Sequence, residues 1–97
     1  MLAKPYINTY NLLMNSIQWS TKAIKQLLKV NRSDQAVIKN AASELATMPQ
    51  TRNVKSLTNH KYQYRLRVGN YRVFFNFDGV VRIVYIEEVR KRDERTY

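Results

Sequence analysis

The apolar positions of this chain change their period part-way along. Between residues 21 and 48 they recur at helical spacing, and between 62 and 86 they mostly alternate. Just before the helical stretch, Ile17 and Trp19 alternate with Gln18 and Ser20, which predicts a short strand. Ser20 or Thr21 can then cap a helix. Ile24, Leu27 and Leu28 form its apolar stripe, with Lys22, Lys25 and Lys29 facing outward. Asn31-Arg32-Ser33 interrupts the pattern. Ser33 suits the N-cap of a second helix over 34–47, with Asp34 in its first turn. Its stripe is Val37, Ala41, Leu45 and Met48, flanked by Ile38 and Ala42, and Pro49 ends it. So short a link predicts an antiparallel helix pair. Residues 50–61 are polar and irregular and read as a connecting loop. Three strands should follow, over 62–68, 71–77 and 80–86, separated by Gly69-Asn70 and Asp78-Gly79.

Residues 1–15 carry no clear period and read as an N-terminal extension. Residues 16–97 read as one domain, since a chain of 97 residues suits a single small core. The fold class expected is α+β: a short first strand, then two helices packed on a small twisted antiparallel sheet.

If both turns are two-residue loops, Val68 pairs with Tyr71, Arg67 with Arg72, Leu66 with Val73 and Arg65 with Phe74. Across the second turn, Arg72 then meets Tyr85 and Phe74 meets Ile83. One face carries Tyr62, Tyr64, Leu66, Val68, Tyr71, Val73, Phe75, Phe77, Val80, Val84 and Ile86, with Arg82 the only charge. It should pack on the helices. The other face carries Arg65, Arg67, Arg72, Phe74, Ile83, Tyr85 and Glu87. Arginines placed side by side on adjacent strands cost up to about 1 kcal/mol against a neutral pair. The cost is tolerable where Glu87 or Tyr85 shares the site, or where function needs a phosphate there. Arginine's planar fork suits phosphate, and aromatic rings on the same face suit stacked bases.

The totals favour nucleic acid, an anionic membrane surface or an acidic partner protein. The net charge is +10, from 17 Lys+Arg against 7 Asp+Glu. There is no cysteine and one histidine, His60, so a disulfide framework, a thiolate or zinc site and a histidine pair for acid–base chemistry are all excluded. No cofactor is expected. No apolar run reaches membrane-spanning length and no signal peptide is visible, so a cytoplasmic protein without a membrane partner is expected.

The order of a short strand, two helices and a curled sheet resembles the RelE/ParE superfamily of bacterial toxins. The stretch Tyr64-Arg65-Leu66-Arg67-Val68-Gly69-Asn70-Tyr71-Arg72-Val73 is similar to that family's hairpin. Arg90-Lys91-Arg92-Asp93-Glu94-Arg95-Thr96-Tyr97 is similar to its basic tail with a late tyrosine. The resemblance covers about residues 16–97. It implies the toxin of a type II toxin–antitoxin system: an endoribonuclease that cuts messenger RNA on the ribosome, through attack of a 2′-OH on the adjacent phosphate. The implied partners are a cognate antitoxin, ribosomal RNA and mRNA.

By position, the resemblance assigns Arg65 to proton transfer, Arg72 to the phosphate, Lys91 or Arg92 to the transition state, and Tyr97 to orienting the nucleophile or stacking on a base. Arg67, Tyr85, Arg90, Arg95, His60 and Lys61 are the expected RNA contacts. A guanidinium with a pKa above about 12 is a poor base, so Glu87 and His60 stand as alternative proton acceptors. Two other outcomes are compatible with the resemblance: a ParE-like inhibitor of DNA gyrase, and a member that binds nucleic acid without cutting it.

Overall fold

The structure is a computed structural model and describes residues 14–92. The elements run β1 (Ser16–Trp19), α1 (Thr21–Leu28), α2 (Arg32–Ser43), a 3₁₀ turn (Glu44–Thr47), β2 (Val54–Ser56), β3 (Tyr64–Val68), β4 (Tyr71–Asp78) and β5 (Ile83–Lys91). The fold is α+β, with both helices on one five-stranded sheet of order β1-β5-β4-β3-β2. All pairings are antiparallel except β1 with β5, which is parallel. A parallel return needs a crossover connection, and the two helices lie within it.

Ser20 starts α1. Its Oγ accepts from the Ala23 N–H at 3.0 Å and donates to the Glu87 carbonyl at 2.9 Å. The reason for this double use lies in the sheet. β1 ends at Trp19, opposite Ile86, so the rest of β5 would be an open edge. α1 covers that edge, and the Gln26 Oε1 accepts the Val89 N–H at 2.7 Å. The buried residues of α1 are Ala23 and Leu27, while Ile24 and Leu28 are exposed, contrary to the predicted stripe. Packing on a strand edge rotates the helix so that a small residue faces the sheet.

In α2 the N-cap is Asn31, not Ser33. The Asn31 Oδ1 accepts from the Asp34 N–H at 2.9 Å, and the Ser33 hydroxyl donates to the same oxygen. The α-helix ends at Ser43, and the 3₁₀ turn completes the segment predicted as helix to residue 47. Ile38, Ala42, Leu45 and Met48 are buried and Val37 is exposed. α1 packs chiefly on β5, while α2 meets β3, so the sheet, more than the neighbouring helix, anchors each.

The core is Val73, Phe75, Val84 and Ile86 from the sheet against Ala23, Leu27, Ile38, Ala42 and Leu45. Each large side chain so buried contributes about 1.5–3 kcal/mol. The first hairpin has the predicted register, from Val68↔Tyr71 to Tyr64↔Phe75. Gly69 takes φ of 55° at the first central position of its turn, a conformation open to glycine at little cost.

The second hairpin differs. Asp78 Oδ1 accepts from the Val80 and Val81 N–H groups, which curls the chain, and Arg82 sits at φ 59°. The loop spans residues 79–82, and Asp78 pairs with Ile83. Val80 is 93% exposed rather than in the core. A bulge between Phe74 and Phe75 then adds Glu87 to β5, so Phe74 meets Glu88 and Arg72 meets Arg90, not Ile83 and Tyr85. The segment read as a connecting loop contains β2, whose Val54, Lys55 and Ser56 pair with Leu66, Arg65 and Tyr64. No helix among the described residues is long and apolar enough to cross a membrane.

Candidate nucleic-acid interface

The sheet face away from the helices is built in rows across the strands. One row is Arg67, Arg72 and Arg90. The next is Lys55, Arg65, Phe74 and Glu88. The third is Asn76, Tyr85 and Gln18. Neighbouring residues within a row are about 5 Å apart, and successive rows about 7 Å. Arg65, Arg67, Arg72 and Arg90 therefore share one patch.

These side chains are held differently. Arg67 and Arg90 are exposed, Arg65 is half-buried and Arg72 is 8% exposed. Arg72 Nη1 donates to the carbonyls of Gly69 and Tyr71 at 3.2 and 3.1 Å, so its guanidinium braces the turn beside it. The Nε of Arg65 is buried without a hydrogen-bond partner among the described residues.

Glu88 is the carboxylate that faces these arginines. It is buried, accepts from the Tyr62 hydroxyl at 2.7 Å, and forms ion pairs with Lys22 at 3.3 Å and Arg90 at 3.9 Å. Burial alone would raise its pKa, but hydrogen bonds from Tyr62 and Lys22 and the charge of Lys22 outweigh burial and leave it lowered. Tyr62 responds in the opposite sense. Its bond to Glu88, with burial second, pushes the phenol up to about 12. Tyr62, expected on the core face, instead lies against Phe74. The chain reaches β3 only at Tyr64, so strand alternation does not extend back to Tyr62.

His60 stacks on Phe74, with ring centroids 5.2 Å apart and planes at 12°. Its Nδ1 accepts the Tyr62 N–H at 3.0 Å. Lys61 Nζ lies 5.4 Å from the centroid of the Tyr62 ring. Tyr85 is half-buried in the third row. The other proton acceptor considered, Glu87, is the extra residue of the bulge and its carbonyl takes the Ser20 hydroxyl.

Lys91 does not join the patch. It pairs with Tyr71 on the helix side and lines an open groove of about 440 Å³ with Gln26, Lys29, Val30 and Asn31. Arg92 follows at the strand end, and its N–H donates to the Asn70 carbonyl at 2.6 Å, tying the tail to the first turn. Arg95 and Tyr97 lie outside the described residues. Residues that sequence reasoning missed are Lys55, Tyr62, Glu88 and Lys22. Lys55 was hidden in a strand too short to show alternation. Glu88 was hidden by the bulge, which moves it to the face that simple alternation assigns to Glu87.

Residues 17–95 match the family model described as the ParE toxin of the type II toxin–antitoxin system parDE. The fold is similar to that of the RelBE2 toxin–antitoxin complex from Mycobacterium tuberculosis, with 24% identity, 81% of this chain and 99% of that one covered, and a TM-score of 0.71. The RelE–RelB complex from Pyrococcus horikoshii gives 19% identity, coverage of 84% and 98%, and a TM-score of 0.71. The isolated Escherichia coli RelE toxin gives 16%, coverage of 82% and 86%, and 0.69. No curated protein matches the sequence. The chain belongs to the ParE toxin family of type II toxin–antitoxin systems, within the RelE/ParE superfamily.

Proposed function

We propose that this toxin is a ribosome-dependent endoribonuclease that cuts translated messenger RNA and is silenced by a cognate antitoxin. The observation that carries the reading is the convergence of Arg65, Arg67, Arg72 and Arg90 on one sheet face beside Phe74 and Tyr85. In the reaction, the 2′-oxygen attacks the neighbouring phosphorus as its proton passes to a base, Glu87 or His60, and the departing 5′-oxygen takes a proton from water. The bond to the 5′-oxygen breaks, and a 2′,3′-cyclic phosphate remains. The phosphorane gains negative charge on its equatorial oxygens, and fixed guanidinium groups stabilise such charge best where they need no reorganisation. Arg72, braced by two carbonyls, is the group we assign to the phosphate. Arg67 and Arg90 flank it in the same row, while Glu88 holds Arg90 and Tyr62 in place. The antitoxin assignment is supported by family membership and by solved relatives that are complexes with an antitoxin.

Gyrase inhibition is the rival, because the matched family is named for ParE. Mapping transcript 5′ ends after brief induction separates the two. New cuts within translated regions, absent with Arg72→Ala at equal soluble yield, are expected. Intact transcripts with a DNA-damage response would overturn the nuclease reading, and toxicity retained by Arg72→Ala would overturn the phosphate assignment.

A further inference from the structure

Helix α1, the segment before β3 and β5 itself each send a side chain to one carboxylate. The Glu88 Oε2 accepts from the Tyr62 hydroxyl at 2.7 Å and lies 3.3 Å from the Nζ of Lys22. The Oε1 lies 3.9 Å from the Nε of Arg90. Glu88 is only 8% exposed, so its charge needs a close partner. The two cations are not equivalent. Lys22, in the first turn of α1, donates to the carboxylate, and with Tyr62 it overcomes the burial that pushes the carboxyl pKa up. Arg90 is too far away for a hydrogen bond, and its side chain is 66% exposed.

Their places in the sheet make this difference matter. Arg90 stands in the row of Arg67 and Arg72, and Glu88 stands in the next row, opposite Phe74. A carboxylate there can compete with a phosphate for the Arg90 guanidinium, because the same fork of donors suits both anions. Lys22 reaches Glu88 because α1 covers the part of the β5 edge that β1 leaves open beyond Ile86. Without Lys22, the buried carboxylate would have Arg90 as its remaining ion-pair partner among the described residues. Rotation of the exposed Arg90 side chain can close that gap and draw its charge away from the patch.

We propose that Lys22 is a positioning residue of the RNA site: by holding the Glu88 carboxylate from α1, it leaves the Arg90 guanidinium open to a phosphate. The inference rests on the RNA reading above. Lys22 acts through Glu88 and need not touch nucleic acid. A lysine that met RNA directly would also weaken binding when removed, so the single variant does not decide the matter. The dependence of its effect on Glu88 does.

Binding of a short fluorescent oligouridylate is measured by anisotropy for the native chain, Lys22→Met, Glu88→Gln and the double variant, each checked for folding by circular dichroism. Lys22→Met should weaken binding about fivefold in the native background, and by about twofold or less once Glu88 is replaced. Lys22→Arg, which keeps a cation for Glu88, should bind as the native chain does. No loss in Lys22→Met, or an equal loss in both backgrounds, would overturn the proposal. The Arg90 Nε–H gives a readout without RNA. Its exchange with water, followed by heteronuclear NMR, should slow in Lys22→Met and recover in the double variant. Unchanged exchange would overturn the proposal whatever the binding shows. Slowed exchange in Lys22→Met, with no oligouridylate binding by the native chain, would overturn the RNA reading and leave the competition for Glu88 standing.

Discussion

Glu88 shows how one carboxylate can organise a cationic surface. It is buried beside Tyr62, Lys22 and Arg90; burial raises its pKa, but hydrogen bonds from Tyr62 and Lys22 and the charge of Lys22 outweigh burial and hold it below the usual carboxyl value of 4.5. A carboxyl that titrates lower in the folded state contributes stability above its unfolded pKa, and that contribution is lost as pH falls through the folded value. Tyr62 has the opposite sign. Its phenol titrates at about 12 when folded against 10 otherwise, so its contribution holds below pH 10 and disappears as pH rises through about 12. Glu88→Gln should therefore lower stability by about 1–2 kcal/mol at pH 7, with the gap to the native chain closing towards pH 3. Urea denaturation at the two pH values reads this directly, and a gap independent of pH would show that the carboxylate charge is irrelevant. At this scale the sequence was partly legible. Arg65, Arg67 and Arg72 follow from alternation around a glycine turn whose geometry is local. Glu88 did not, because a single inserted residue changes the face of everything beyond it.

Among the elements, β1 gives way to α1 along β5. Ser20 serves both, capping the helix and meeting the Glu87 carbonyl. Ser20→Ala removes an N-cap acceptor and a sheet-edge donor together. It should cost about 1–2 kcal/mol, the upper part of the range for a lost cap, visible as a lower urea midpoint with an unchanged slope. A loss of a few tenths would mean that water replaces both bonds. The cap itself was legible, as were both helices and the first hairpin, because their determinants lie within a few residues. β2 was not, since its three residues become a strand only through pairing with β3. The second turn was misread for a related reason. Asp78-Gly79 suits a tight hairpin, but the Asp78 side chain binds Val80 and Val81 and opens a longer loop. The helix faces were half legible: Leu27 points inward, while Ile24 and Leu28 do not, because α1 packs on an edge.

Taken whole, the molecule carries a net charge of +10, and a field that strong could attract any polyanion without a defined site. The fold makes a sharper claim, because it divides the cations between two sides. Arg65, Arg67, Arg72 and Arg90 share the open sheet face, while Lys25 is exposed on α1. If binding is local to the arginine patch, about four phosphates are neutralised. The logarithm of the association constant for single-stranded RNA should then fall with the logarithm of salt concentration at a slope of about −3. Arg67→Ala should weaken binding and make that slope shallower by about 0.7, since one phosphate contact is lost. Lys25→Ala removes the same unit of charge from the molecule but should leave the slope nearly unchanged. Salt titrations of oligoribonucleotide binding with the three chains decide the matter. Equal changes in slope for the two variants would mean that the whole cationic surface, not the patch assembled by β3, β4 and β5, holds the nucleic acid.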